Sequence, residues 1–325
     1  MTTYLVRRLL QTIVVIFGVT ILSFFALHLA GDPTYLYVSE RATDEEVAET
    51  RAKLGFDKPL HEQYFSYVVG LATLDLGNSL RSRTPAFELV MERMPATLEL
   101  TIFAILFATL LAIPIGILSA TRRGTPLDGG IMLFAMFGQS MPSFWLGIML
   151  ILVVGLWLRW LPISGQVPII QPLLDGDFQT AITNFPDAIR HLILPGITLG
   201  VFSLARNARL VRSSMLEVLN QDYVTTAKAK GLARHTVIMR HAFRNSLIPF
   251  VTIIGLEFGF LLSGVVVTET VFSWPGVGRL VFNAINQRDI PVVQAAVVMF
   301  SLLFVLLNLI VDVVYTRLDP RIRLS

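Results

Sequence analysis

The sequence predicts an all-α membrane protein of six transmembrane helices, with both termini on the cytoplasmic side. Three observations lead there. Of 325 residues, 54% are hydrophobic and only 15% charged, whereas soluble domains run at about 45–50% and 25%. The apolar residues gather into runs long enough to cross hydrocarbon ~30 Å thick, which takes ~20 residues of helix. The loops between those runs alternate between basic and acidic.

The first run is Leu9 to Leu29, preceded by Arg7 and Arg8. A signal peptide has a shorter apolar core, about 7–15 residues, followed by a small-x-small cleavage site; this run reads as an uncleaved span. The second covers Ala96 to Ala120 and the third Gly129 to Leu158, the latter interrupted by "GQSMPSFW" and expected to kink or break at Pro142. The fourth, Leu192 to Leu210, is the weakest, because Arg206 and Arg209 fall inside its end. The fifth runs from Leu247 to Thr268 and the sixth from Val292 to Tyr315.

Orientation follows from the positive-inside rule. The N-terminus, Ala120 to Asp128, Arg206 to Asn245 and the C-terminal tail together carry 15 Lys and Arg against 4 Asp and Glu. The segments on the opposite side carry 11 against 17. The basic side is cytoplasmic, and this asymmetry accounts for the pI near 9.3 without nucleic-acid binding. The chain divides into an N-terminal tail and first span (1–30), an extracytoplasmic segment (31–95), a core of spans two to six (96–315) with a cytoplasmic loop at 212–245, and a tail (316–325). Within the extracytoplasmic segment, "ATDEEVAETRAKLGF" predicts a short amphipathic helix opened by a capping box, Thr43 with Glu46. That helix is suited either to docking a soluble protein or to structural packing over a partner subunit.

Chemistry is sparse. The chain has no cysteine, which excludes disulfides and thiolate metal sites. It carries no G-x-x-x-x-G-K-[ST] phosphate cradle, no H-E-x-x-H and no G-x-S-x-G. No cofactor or metal site is expected, and the chain does not read as an enzyme. Glu257 lies inside the fifth span, where an ionised side chain costs roughly 2.5–3.5 kcal/mol to insert and usually faces a cavity. It is a candidate for contact with a cation or a substrate amine, or else a hydrogen-bonded packing residue; "GLEFG" around it has the small-xxx-small spacing of close helix packing. Between spans five and six, "ETVFSWPGVGR" suggests a compact re-entrant turn, an outer gate or a docking element. Glu269, Phe272, Trp274 and Pro275 are its candidate pathway or gate residues.

The longest polar, basic stretch of the second half is "DYVTTAKAKGLARHTVIMRHAFRN", Asp222 to Asn245, in the cytoplasmic loop between spans four and five. It predicts one short helix stopped by Gly231 and a second from Ala233 to Asn245. Ala227 and Gly231, one turn apart, are expected to leave a flat face that another surface can approach closely. A membrane-surface helix needs a broad apolar face, which is missing, so a soluble cytoplasmic partner is expected. Arg234, Arg240, His241 and Arg244 are expected to meet lipid headgroups or acidic protein.

These residues carry a resemblance. "TTAKAKG" resembles the E-A-A-x-x-x-G loop of ABC-importer permeases, with Thr225 and Thr226 standing in for the usual Glu-Ala. "RSSMLEVLNQDYVTTAKAKGL", "RHAFRNSLIP", "ETVFSWPGVGR", "LDLGNS", "MPATLEL" and "LDPRIR" resemble the first permease subunit of dipeptide and oligopeptide importers over essentially the whole chain. The resemblance implies the type I permease fold and residence in a bacterial plasma (inner) membrane. It also implies a machine whose partners are a sister permease, two cytoplasmic ATPases holding ATP and Mg, and an extracytoplasmic substrate-binding protein. The loop would then be a coupling helix seated in an ATPase cleft, with Tyr223, Thr225, Thr226, Ala227, Lys228, Gly231 and Leu232 as its contact residues. Glutathione or a nickel complex is the alternative cargo within that family. A secondary carrier, normally built from two halves with matching broken helices, and a non-transporting scaffold are the alternatives outside it.

Overall fold

A computed structural model describes residues 13–25, 33–39, 41–73 and 75–318, with the side chains of 33, 247–249, 251–256, 263 and 311–318 left undescribed. Arg7, Arg8, both flanks of the first apolar run, the Asp312 side chain and the tail beyond Leu318 lie outside the described residues. The described residues are helical throughout, apart from loops and one isolated bridge between Asn78 and Pro85. Three helices among them are long and apolar enough to cross a membrane, and a bent pair makes a fourth.

The chain forms two compact units. The first contains α1 (Ile13–Phe25), α2 (Asp44–Leu54), α3 (Leu60–Ala72), α12 (Val277–Asn286) and most of α13 (Ile290–Leu318). The capping box is present: the Glu46 amide donates to Thr43 Oγ1 at 3.3 Å and the Thr43 amide to Glu46 Oε2 at 2.9 Å. α2 buries none of its residues within this chain. α3, which the sequence reading left undivided from the loop, packs on α1 through Tyr64, whose ring lies edge-on to Phe24 at 5.4 Å. Its hydroxyl lies 2.8 Å from Thr20 Oγ1. Asp289, buried ahead of α13, accepts from Ser79 Oγ at 2.5 Å and the Leu80 amide at 3.1 Å. Ser79 closes the "LDLGNS" run. Asp289→Ala strips the acceptor from two donors and is expected to cost about 1–3 kcal/mol, read as a lower melting temperature in detergent.

The second unit holds Ala96–Trp274 and the end of α13 from Leu307. It contains the greater part of α4 (Ala86–Thr121), then α5 (Pro126–Ser140), α6 (Ser143–Leu150) with a π-helical continuation Ile151–Trp157, and α7 (Ile170–Leu174). After these come α8 (Phe178–Leu219), α9 (Asp222–Ala229), α10 (Arg234–Thr236), a π turn Val237–Phe243 and α11 (Arg244–Val271). The expected break is real: α5 and α6 meet at 104° across Met141 and Pro142. Proline forces the preceding residue out of the helical region, and Met141 has ψ 128°.

α8 explains why the fourth run looks weak. It is 42 residues long rather than the expected 19 or so, and 61% of its most apolar window is buried, against 33% and 28% for α4 and α13. A helix enclosed by protein can hold polar side chains, because neighbouring helices supply their partners. α4 packs directly against it. Leu100, Ala104, Ala108 and Ala112 recur every fourth residue on α4 and are fully buried, opposite Leu204 and Ala208 of α8. A Cβ on Gly200 would stand 2.9 Å from the Ala104 carbonyl oxygen, and one on Gly116 would stand 2.8 Å from that of Ala208. Small residues at four-residue spacing let the two backbones touch. Gly200→Leu is expected to force the helices apart at a cost of several kcal/mol, read as loss of folded protein from membranes. The predicted second loop helix from Ala233 to Asn245 does not stand alone, since α10 and the π turn run without interruption into α11.

Candidate functional site

α9 begins three residues after α8 ends, across a tight turn in which the Gln221 amide donates to the Val218 carbonyl. Its inner face is set by Val224, fully buried, and Ala227, 6% exposed, both packed with Val237 of the π turn. Ala227 therefore packs inward and does not share an outward flat face with Gly231; this corrects the sequence reading. The reason is register. Val224 and Ala227 fall three apart on one side of the helix, and the apolar partner on that side is internal. Gly231 has φ +75° and lies just beyond the helix C-cap, Lys230. It serves as the helix stop, a conformation that favours glycine.

The outward face consists of Tyr223, Thr225, Thr226 and Lys228, with Leu232 just beyond the helix, all exposed. The helix is held rigidly beneath that face. Asn245 Nδ2 donates to the Tyr223 hydroxyl at 2.9 Å, tying α9 to the first turn of α11. Beside it a cavity of about 470 Å³ is lined by Arg123, Lys228 and Arg234 over Leu216, Leu219 and Leu232. Arg234 reaches the Thr121 carbonyl at 3.4 Å, and the other two cations complete a basic rim.

At the same end of this unit a carboxylate ties three helices. Asp128, in the first turn of α5, accepts from Arg212 of α8 through Nε and Nη2, both at 2.8 Å. It also accepts from Ser119 Oγ of α4 at 2.5 Å and from the Gly124 amide at 3.0 Å. Sequence reasoning missed Asp128 as more than a loop charge; its signal is an acid placed two residues after a proline that starts a helix.

The far end of the same unit holds the predicted gate residues Glu269, Phe272 and Trp274; Pro275, next along the chain, belongs to the first unit. Glu269, Phe272 and Trp274 are essentially fully buried, and Pro275 is partly buried. Thr97 Oγ1 donates to Glu269 Oε1 at 2.7 Å, and Trp274 Nε1 donates to the Ala96 carbonyl at 2.8 Å. Two residues on, buried Glu99 accepts from Gln166 Nε2 at 2.5 Å and from the Ile169 and Ile170 amides at 2.6 and 2.5 Å. Ala96, Thr97 and Glu99 thus gather the turn after α11 and the loop before α7 onto one end of α4, and the Gly165 amide joins turn to loop through the Phe272 carbonyl. Glu99, in "MPATLEL", was not singled out from sequence. On the same side of the molecule, Asp177 caps α8; its hydrogen bonds from the Thr180 hydroxyl and amide hold the carboxyl below the usual range.

Glu257 is fully buried at the middle of α11, where Asn207 Nδ2 donates to it at 2.7 Å and Arg206 Nη2 at 3.1 Å. Arg206, inside the end of the fourth apolar run, thus meets a carboxylate at the middle of α11.

The family description "Binding-prot-dependent transport system membrane comp, N-term" matches residues 1–101, and "Binding-protein-dependent transport system inner membrane component" matches residues 112–324. The chain is 44% identical over 336 residues to the dipeptide transport system permease protein DppB of Escherichia coli (strain K12), covering 99% of each. It is 44% identical over 333 residues to the di/tripeptide permease DppB of Pseudomonas aeruginosa (strain UCBPP-PA14), again over 99% of each. It is 40% identical over 324 residues to the glutathione transport system permease protein GsiC of Salmonella choleraesuis (strain SC-B67), with the same coverage. Among solved structures, a chain of the MetNI methionine ABC transporter in an inward-facing conformation shares the fold, with TM-score 0.56 and 16% identity over 72% of this chain and 98% of that one. These relatives are transport subunits and not enzymes, and the chain belongs to the family of binding-protein-dependent transport system inner membrane components.

Proposed function

We propose that this chain is one of two pore-forming permeases of an ATP-driven importer of dipeptides or short oligopeptides, crossing the plasma membrane six times with both termini in the cytoplasm. The observation that carries the proposal is α9. It is a short helix with an exposed polar face, braced from below by Val224, Ala227 and Tyr223, in a chain 44% identical end to end to dipeptide permeases. The exposed Tyr223, Thr225, Thr226 and Lys228, with Leu232, form the surface that seats in a cytoplasmic ATPase. ATP and Mg are held by that partner; this sequence has no phosphate-binding loop. Substrate arrives from an extracytoplasmic binding protein. Closure of the ATPases on ATP moves α9, and α9 moves α8 and α11 because it is packed on both. Glu99, Thr97 and Glu269 hold the outer end closed around Trp274.

The test is reconstitution. The chain, purified with its sister permease and ATPases into liposomes, is expected to import dipeptide only with ATP inside the cytoplasmic face and binding protein on the other. Uptake without ATP, driven by an ion gradient, would replace this reading with a secondary carrier. Glutathione is the second cargo to assay, because of the 40% identity to a glutathione permease.

A further inference from the structure

The polar cluster around Glu257 has an inner and an outer side. Inside, Glu257 and Asn207 are fully buried, and Arg206 Nε, Asn207 Oδ1 and Ser203 Oγ lack any hydrogen-bond partner. A buried polar network left incomplete calls for an explanation. Outside, the Arg206 side chain keeps 33% of its surface exposed. Its guanidinium stands 5.4 Å over the ring of Phe260, itself 48% exposed, and Phe260 stacks on Phe202 at 5.3 Å. One turn along α8, exposed Arg209 donates to Gln139 Oε1 of α5. One exposed face of α8 and α11 therefore presents two guanidinium groups beside an aromatic platform. Charged side chains within spans face a water-filled cavity or a partner chain in preference to lipid. Glu257 balances one cation, and the other, among the described residues, is met by the neutral amide of Gln139.

We infer that Arg206, on the platform of Phe260 and Phe202, is a contact for the C-terminal carboxylate of a peptide in transit, and that Glu257 is a positioning residue for Arg206. This rests on the importer reading above. The chemistry is that of the ligand class. Every linear peptide has one terminal carboxylate, which a guanidinium fork matches in plane, while its side chains vary and suit an aromatic face that makes no hydrogen-bond demand. Glu257 is sealed behind Arg206 and cannot meet a substrate amine; it keeps the guanidinium in place.

The chain has no cysteine, so Arg206→Cys provides its sole thiol in the assembled transporter. In liposomes, this variant is expected to import dipeptide about tenfold more slowly at subsaturating concentration. Aminoethyl methanethiosulfonate, which attaches a cation, is expected to restore most of the uptake, and methyl methanethiosulfonate, which attaches a neutral group, to restore none. The parent complex treated with the same reagents corrects for thiols on partner subunits. Two results would overturn the inference: a thiol that a charged, membrane-impermeant thiosulfonate cannot reach, or equal recovery with both reagents. If Arg206→Cys fails to assemble, Arg206→Lys decides: a raised half-saturation at similar maximal uptake supports carboxylate contact, and a fall in maximal uptake alone refutes it. A parent complex that imports no peptide at all defeats the importer reading instead, and is recognised before any variant is made.

Discussion

Asp128→Ala is expected to unfold the end of the second unit that carries α9 at temperatures where the parent is intact. The carboxylate has four donors from three segments: Arg212 twice, Ser119 and the Gly124 amide. Its removal leaves the Arg212 guanidinium, whose side chain is 24% exposed, without its counter-charge. Breaking a buried pair from one side costs about 3–5 kcal/mol, and partial exposure of Arg212 places this one near the lower figure. The damage spreads, because Arg212 lies two turns before the end of α8, on which α9 is mounted. We expect a markedly lower melting temperature in detergent and, in membranes that retain the protein, reduced uptake. Arg212→Lys keeps the charge but loses the two-pronged geometry and is expected to fall between parent and Asp128→Ala. If Asp128→Ala melted together with the parent, the tie would have no part in holding α4, α5 and α8.

The largest functional effect is expected from Thr226→Trp. Thr226 is exposed on α9, and its hydroxyl bonds only to the Asp222 carbonyl one turn back. An indole there points away from Val224 and Ala227 and gives up the hydrogen bond to the Asp222 carbonyl. It also obstructs the surface proposed to seat in the ATPase. The chain should accumulate in the membrane at parental levels and assemble with its sister permease, while uptake falls at least tenfold and substrate no longer stimulates ATP hydrolysis. Gly231→Trp is a less direct probe. It adds left-handed backbone strain of about 1–2 kcal/mol at φ +75°, so weakened folding and weakened docking would be confounded. Parental uptake by Thr226→Trp would remove α9 from the coupling surface.

The site was partly legible before any coordinates. The capping box at Thr43, the break at Pro142 and the helix stop at Gly231 depend on backbone chemistry within a few residues, and each appears where the sequence predicts it. Which residues face outward on α9 was not legible. Ala227 looked like part of a contact surface because it is small. It is buried because Val237, ten residues away, folds back against it. Glu257 read either as a substrate contact or as a hydrogen-bonded packing residue, and local pattern did not choose between them, since its partner Arg206 is 51 residues distant.

The sequence by itself determined a helical membrane chain, its family, and the glycine that ends α9. These follow from composition, from the ~20-residue length that hydrocarbon imposes on a helix, and from motifs confined to short stretches. The tertiary structure alone decided how the charges are spent. Asp128 meets Arg212, Glu257 meets Arg206, and Glu99 receives a loop some 70 residues further along the chain. Such pairings depend on which helix faces surround α8. That is settled by the backbone contact of glycine and alanine ridges on α4 and α8, a relation between distant segments that local sequence pattern does not carry.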